Sequence, residues 1–280
     1  MKQIPTTQIT TQIRALCMEA NYRLPKDVAD RICQAYTEEP WQPAKETLQR
    51  LIENMEIAAR EDMPVCQDTG MACVFLEIGQ DVHITGGDLY EAVHEGVRQG
   101  YADGYLRKSI VSDPLRRMNT GDNTPAMIHS DIVPGDTLTI TVAPKGAGSE
   151  NMSRLIMLPP SAGKQGVIDF VLETVKLSGP NPCPPIVVGV GIGGSFDLVT
   201  ALAKKALLRP MDHPNPDPFY QEMERELLAE INALGLGPQG FGGRSTALGV
   251  NIETYPTHIA ALPVAVNINC HVTRHMTVTL

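Results

Sequence analysis

Asn181-Pro182-Cys183-Pro184-Pro185-Ile186-Val187-Val188-Gly189-Val190-Gly191-Ile192-Gly193-Gly194 is the stretch on which the reading of the fold turns. A cysteine sits among prolines, which restrict the backbone on both sides of it. Ile186 to Val190 is a short β-branched run bounded by turn residues, the pattern of a buried strand. Gly193 and Gly194 lead into Ser195 to Leu208, whose apolar spacing predicts a helix. Strand, glycine turn and helix in succession form the working unit of an α/β fold.

Gly189 to Gly194 also fits G-x-G-x-x-G, the formal signature of dinucleotide binding. That fingerprint needs a second strand ending in an acid about 20 residues on. Here the region is Arg209-Pro210-Met211-Asp212-His213-Pro214, a proline-rich loop. The simpler expectation is a tight strand-to-helix turn whose helix N-terminus faces an anion. A nicotinamide-dependent oxidoreductase is the rival reading.

Working outward, residues 1–60 read as an N-terminal helical part, with helices over Thr7 to Ala20, Lys26 to Thr37 and Pro43 to Arg60. Residues 61–280 read as one mixed α/β core. Its strands fall over Met71 to Ile78, Pro125 to Ile132, Thr137 to Ala143, Thr246 to Ile252 and Ala261 to Ile268. Further helices fall over Gly87 to Gly100, Gly166 to Leu177 and Phe219 to Leu234. The fold class is mixed α/β, a single domain over residues 1–280.

A net charge of −9 and a pI of about 5.3 argue against nucleic acid as a partner. No apolar run approaches the roughly 20 residues of a membrane span, and the N-terminus lacks a secretory pattern. A cytoplasmic protein is expected. The six cysteines are spread along the chain without a CxxC pair, which excludes a zinc ribbon or thioredoxin-type motif.

Cys66, in Pro64-Val65-Cys66-Gln67-Asp68-Thr69-Gly70, lies between helix and strand. Cys183 precedes a strand, and Cys270, in Asn267-Ile268-Asn269-Cys270-His271, follows one. Element ends are where loops carry function on a rigid scaffold. Cys17 and Cys33 fall on helices and Cys73 in a strand, positions that predict packing. Three thiolates suit an iron–sulfur cubane with one iron left open; buried structural thiols are the alternative, and the residues alone leave both standing.

Two polar loops stand out, Asn119-Thr120-Gly121-Asp122-Asn123 and Lys145-Gly146-Ala147-Gly148-Ser149-Glu150-Asn151. The second can present backbone N–H groups to a carboxylate. His258, near the strand from Ala261, reads equally as a structural hydrogen-bonder or as an acid, base or ligand. Arg107 reads as a solvated charge or as a fork for a carboxylate. His271, Arg274 and His275 cluster near the C-terminus, with no basis for choosing among them.

As an ordered set, Cys66-Gln67-Asp68-Thr69-Gly70, Asn119 to Asn123, Lys145 to Ser149, Cys183-Pro184-Pro185 with Gly189 to Gly194, and Cys270 resemble the α region of class I fumarases and L(+)-tartrate dehydratases. The resemblance spans nearly the whole chain. It implies that Cys66, Cys183 and Cys270 hold a [4Fe–4S] cluster acting as a Lewis acid. It implies that Gln67, Asp68, Arg107, Gly146, Ala147, Gly148 and His258 contact a small dicarboxylic acid, with Asp68 and His258 as proton carriers. Ala147 departs from the family's usual third glycine. Single-chain relatives continue into a β region, whereas this chain ends ten residues after Cys270. A separate β subunit, an α2β2 assembly and reversible hydration of fumarate to malate are therefore expected. Tartrate dehydration to oxaloacetate is the alternative within the family, and a non-catalytic iron–sulfur scaffold the one outside it.

Overall fold

The computed structural model describes residues 2–280. In chain order the strands are β1 (Lys2–Pro5), β2 (Met71–Gly79), β3 (Val82–Thr85), β4 (Met127–Val133), β5 (Leu138–Lys145), β6 (Arg154–Leu158), β7 (Ile186–Gly193), β8 (Ala247–Tyr255), β9 (Leu262–Asn269) and β10 (Met276–Thr279). The helices are α1 (Thr6–Tyr22), α2 (Lys26–Glu38), α3 (Gln42–Glu61), α4 (Leu89–Asp103), α5 (Ala147–Glu150), α6 (Gly163–Ser178), α7 (Leu198–Ala206) and α8 (Pro218–Ala233). The fold is mixed α/β. The chain forms two compact units, Met1–Pro25 with Met55–Ala147 and Arg274–Leu280, and Lys26–Asn54 with Gly148–Thr273. The three N-terminal helices are shared between them: α1 lies in the first, α2 in the second, and α3 is divided.

The first unit holds a four-stranded sheet of order β10-β5-β2-β4. β5 pairs antiparallel with β10 and β2, while β2 and β4 run parallel. Leu138, Ile140 and Val142 alternate along β5 and are all buried, the period of a strand with one apolar face. Against this unit's core α1 turns Ile9, Ile13, Leu16 and Cys17, which recur at the spacing of one helical face. α4 lies close along α1: a methyl group on Gly100 would stand 2.8 Å from Cys17 Cβ. Truncating a fully buried residue such as Ile13 to Ala would cost about 3 kcal/mol.

The second unit is built on a sheet of order β6-β9-β7-β8. β7 pairs parallel with β8 and antiparallel with β9. Every residue of β7 is buried, so the strand reads as a continuous apolar run without alternation. It runs on through Gly193, past the expected end at Val190, and α7 begins at Leu198 rather than Ser195.

The glycines of β7 explain this extension. A Cβ on Gly189 would meet the Ala203 carbonyl at 2.2 Å, and one on Gly191 the Val199 carbonyl at 2.2 Å. α7 therefore packs directly on the strand backbone. Only Gly193 and Gly194 take positive φ, 92° and 69°, and make the turn. The G-x-G-x-x-G pattern is here mainly a helix-packing pattern, which removes the observation that favoured a dinucleotide.

Cys33 corrects another expectation. The buried stripe of α2 is Val28, Ile32 and Ala35. One residue beyond Ile32 is a rotation of about 100°, which carries Cys33 to the exposed side. Cys17 and Cys73 are buried, as their spacing predicted.

Candidate functional site

In the first unit the Cys66–Gly70 turn is braced from several sides. The Tyr101 hydroxyl, buried at the last turns of α4, donates to the carbonyls of Thr69 at 2.8 Å and Gly70 at 3.1 Å; burial pushes its phenol well above the ordinary range. Asn123, wholly buried, donates from Nδ2 to Gly70 O at 3.2 Å and accepts the Ser109 amide at 2.6 Å. The polar loop Asn119 to Asn123 thus ties down this turn from behind.

The same braces aim the side chains. Asp68 N donates to Cys66 Sγ at 3.4 Å. Asp68 Oδ1 accepts Gly70 N at 3.1 Å and Oδ2 accepts Ala147 N at 2.9 Å. Of the amides expected to serve a ligand, that of Ala147 is therefore engaged by Asp68. Arg107 N donates to Thr69 Oγ1 at 2.9 Å, and Thr69 Oγ1 donates to Arg107 O at 3.3 Å. Arg107 itself is exposed, and no ion pair among the described residues occupies its guanidinium. Gln67 is exposed beside Cys66, within 3.4 Å of its sulfur.

In the second unit Cys183 and Cys270 come to one end of the sheet. Val187 pairs with Asn269, so the residues before β7 and after β9 adjoin. The link is explicit: His271 N and Nδ1 both lie against the Cys183 carbonyl, at 3.4 and 3.0 Å. Nδ1 also lies 3.3 Å from Gln239 Nε2. Gln239 donates to Pro184 O from its amide at 2.7 Å and its Nε2 at 2.8 Å, bracing the other side. Cys183 is exposed with φ of +55°, a left-handed conformation costly for a non-glycine residue and concentrated at functional sites. Gly148 approaches the same end, its added Cβ standing 3.9 Å from Asn181 O.

His258 lies elsewhere. It is exposed in the loop between β8 and β9, which is held by Thr257 Oγ1 donating to Gly194 O at 2.9 Å. That is the far end of β7. Its eight residues span roughly 26 Å at about 3.3 Å each. The sheet therefore does not bring His258 to Cys183 and Cys270 of the same chain.

Four residues at these ends were not assigned from sequence. Gln239 and His271 brace Cys183; Glu150 and Arg274 brace the loops beside them. Only proximity to Cys270 marked His271 and Arg274, and nothing marked Gln239.

Thiols are the donors that an iron–sulfur cluster takes. Among the described residues no group of three or more His, Cys, Asp or Glu is spaced for a single metal ion; cubane thiolates bind different irons and stand further apart. Cys66 receives an N–H bond, Cys183 and Cys270 share one sheet end, and Arg274, 3% exposed, leaves Nε and Nη1 without partners. A buried cation with unmet donors suits an anionic group nearby.

A clamped carboxylate, an open arginine and thiols at strand ends are the means by which an enzyme handles a small acid, and comparison with known proteins agrees with that class. Residues 10–279 match the family described as fumarate hydratase (Fumerase). The chain belongs to this family of hydro-lyases. A protein of Methanocaldococcus jannaschii, provisionally named L(+)-tartrate dehydratase subunit alpha, is 44% identical over 269 residues, 94% of each chain. The L(+)-tartrate dehydratase subunit alpha of Escherichia coli strain UTI89 is 34% identical over 96% of this chain and 89% of its own length. That of strain K12 is 33% identical over the same shares. Among the described residues no helix is long and apolar enough to cross a membrane.

Proposed function

We propose that the chain is the α subunit of an iron–sulfur hydro-lyase that reversibly adds water to fumarate to give malate, and that it works with a separate β subunit in an α2β2 assembly. The observation that carries this reading is the family match across residues 10–279. The relatives' names as alpha subunits support the partner. The thiols suit a reducing, cytoplasmic compartment.

Cys66, Cys183 and Cys270 would hold a [4Fe–4S] cluster. When bound, it supplies a Lewis-acid iron for an oxygen of the acid. Arg107 takes a substrate carboxylate in a planar fork, its backbone being held by Thr69. Gln67 offers an amide beside it. Asp68, held by two backbone N–H groups, stands ready to pass a proton, while a base on the partner subunit serves the adjacent carbon. Gly146 and Gly148 keep the loop backbone accessible to a carboxylate. We assign no step to His258 at the thiols of its own chain, because a strand's length separates them.

A second reading, elimination of water from L(+)-tartrate to give oxaloacetate, is favoured by the names of the relatives. Both reactions break or form one C–O bond and one C–H bond on neighbouring carbons, without net redox change.

The test begins with the full chain purified without oxygen and reconstituted with iron and sulfide. About four irons per chain with broad visible absorption, both lost in Cys183→Ser, is the expected result; a colourless, iron-free chain sinks the cluster reading. With the cognate β subunit, fumarate should turn over with the higher kcat/KM. The reverse preference selects tartrate.

A further inference from the structure

Arg274 lies directly after Thr273 in the segment following Cys270 and belongs to the first unit. It is 3% exposed. Its Nη2 donates to the backbone carbonyl of Asp68. Its Nε and Nη1 have no hydrogen-bond partner, and no carboxylate among the described residues pairs with it. The Tyr101 phenol is close enough to feel its charge.

An arginine cannot shed its proton inside a protein. A buried cation with two unmet donors is costly unless an anion completes it. The chain supplies only a carbonyl oxygen, at the turn that carries Cys66. A cubane core held by three thiolates is an anion, and hydrogen bonds to its sulfurs and the charge around it set its potential.

We infer that Arg274 is a counter-charge for the iron–sulfur cluster: a positioning residue that donates to the Asp68 carbonyl with one nitrogen and keeps its other two donors buried for an anion. This rests on the cluster reading above. Its burial and its bond to main chain rather than to an open surface separate it from Arg107, which is exposed for substrate.

The inference has a sign that a packing role lacks. Without the cluster the guanidinium is an uncompensated buried charge, and relief of that charge should offset the lost bond to the Asp68 carbonyl, so replacing it should not harm the apo fold. With the cluster it contributes attraction, so replacing it should.

The experiment compares wild type, Arg274→Met and Arg274→Lys, each as the full chain, stripped of iron and reconstituted. Thermal midpoints are read by circular dichroism, and the reduction potential by titration followed with electron paramagnetic resonance. Expected are an apo midpoint for Arg274→Met at or above that of wild type, a smaller gain on loading, and a potential shifted to more negative values. Loss of the cluster to a chelator should be about tenfold faster. Arg274→Lys, which keeps the charge, should recover most of the potential. The inference is overturned if Arg274→Met fails to fold as the apo chain, or loads with the wild-type gain and potential. An unchanged potential with a raised KM in the assembled enzyme would instead make Arg274 a substrate contact. If wild type itself takes up no cluster, the functional reading has failed first and takes this one with it.

Discussion

Lys204 Nζ stands 2.6 Å from Glu150 Oε1, with the two side chains only 19% and 28% exposed. The other carboxylate oxygen of Glu150 accepts Asn267 Nδ2 at 2.7 Å. Asn267 Nδ2 also donates to Ser153 Oγ at 2.8 Å, and that oxygen accepts Ile268 N at 3.1 Å. The glycine loop ending in Glu150 is thereby fixed to the strand that leads to Cys270. Lys204→Met leaves a half-buried carboxylate without its cation and should cost about 2 kcal/mol in urea unfolding. Glu150→Gln should cost a similar amount, and the double variant about 1 kcal/mol less than the sum. Strict additivity would show that the two groups do not depend on one another.

Gly189→Ala tests the packing role of the β7 glycines. Its methyl would meet a backbone oxygen at 2.2 Å, and backbone of a packed helix yields little. A loss of about 3 kcal/mol is expected. Gly179→Ala is the control, because its φ is +51° but nothing lies within 4 Å of the added carbon; its cost should be about 1 kcal/mol, from backbone conformation alone. Saturating NAD should shift the thermal midpoint of neither variant nor of wild type. A clear NAD-dependent rise in wild type would restore the dinucleotide reading.

What the sequence disclosed follows the range over which its signals act. β5 alternates strictly and β7 is one apolar run, so both were legible from composition over a few residues. β1, β3, β6 and β10 were missed. Each has four or five residues, and each pairs with a strand distant in sequence, as β10 does with β5, so neither length nor local pattern marks it. The cysteines at element ends stood out in the sequence because thiols are rare and their neighbours unusual. Glu150, Gln239 and Arg274 are ordinary polar residues that acquire meaning only through partners such as Lys204, Pro184 and Asp68, which the fold supplies. His258 shows the opposite limit, since twelve residues before Cys270 in sequence becomes the length of a whole strand in space.

Asp122 gives a prediction in acid. Partial burial pushes its carboxyl up, but the Thr124 hydroxyl and amide, at 2.7 and 3.0 Å, and Arg98 Nε, at 3.0 Å, outweigh this and hold it at about 2 rather than 3.8. A carboxylate whose pKa is lower folded than unfolded contributes stability that is full above the unfolded value and is lost as pH falls toward the folded one. Asp122→Asn should therefore be less stable than wild type by a constant margin above about pH 5. The margin should narrow between pH 3.8 and about 2. Urea unfolding at a series of pH values measures it, and a margin independent of pH down to the acid limit would discount the network around Asp122.

Thiol reactivity separates the cysteines by position and by cluster. Cys17 is buried and its thiol is pushed up to about 12 by that burial, so it holds almost no thiolate near neutrality and should resist alkylation in the folded chain. Cys73, also buried, should behave alike. Cys33 and Cys183 are exposed, and Cys66 and Cys270 half-buried; in the apo chain the first two should label with iodoacetamide fastest. Reconstitution with iron and sulfide changes the prediction for three of these four. Cys66, Cys183 and Cys270 should become protected together, whereas Cys33 should label at an unchanged rate. Exposure to air should return all three to the reactive state at one common rate, and ferrous iron with a reductant should protect them again, because a single cluster is what they share. Peptide mass spectrometry after timed labelling reads every site in one sample. Protection of only one or two of the three would remove the remaining thiol from the cluster and leave it a different ligand set.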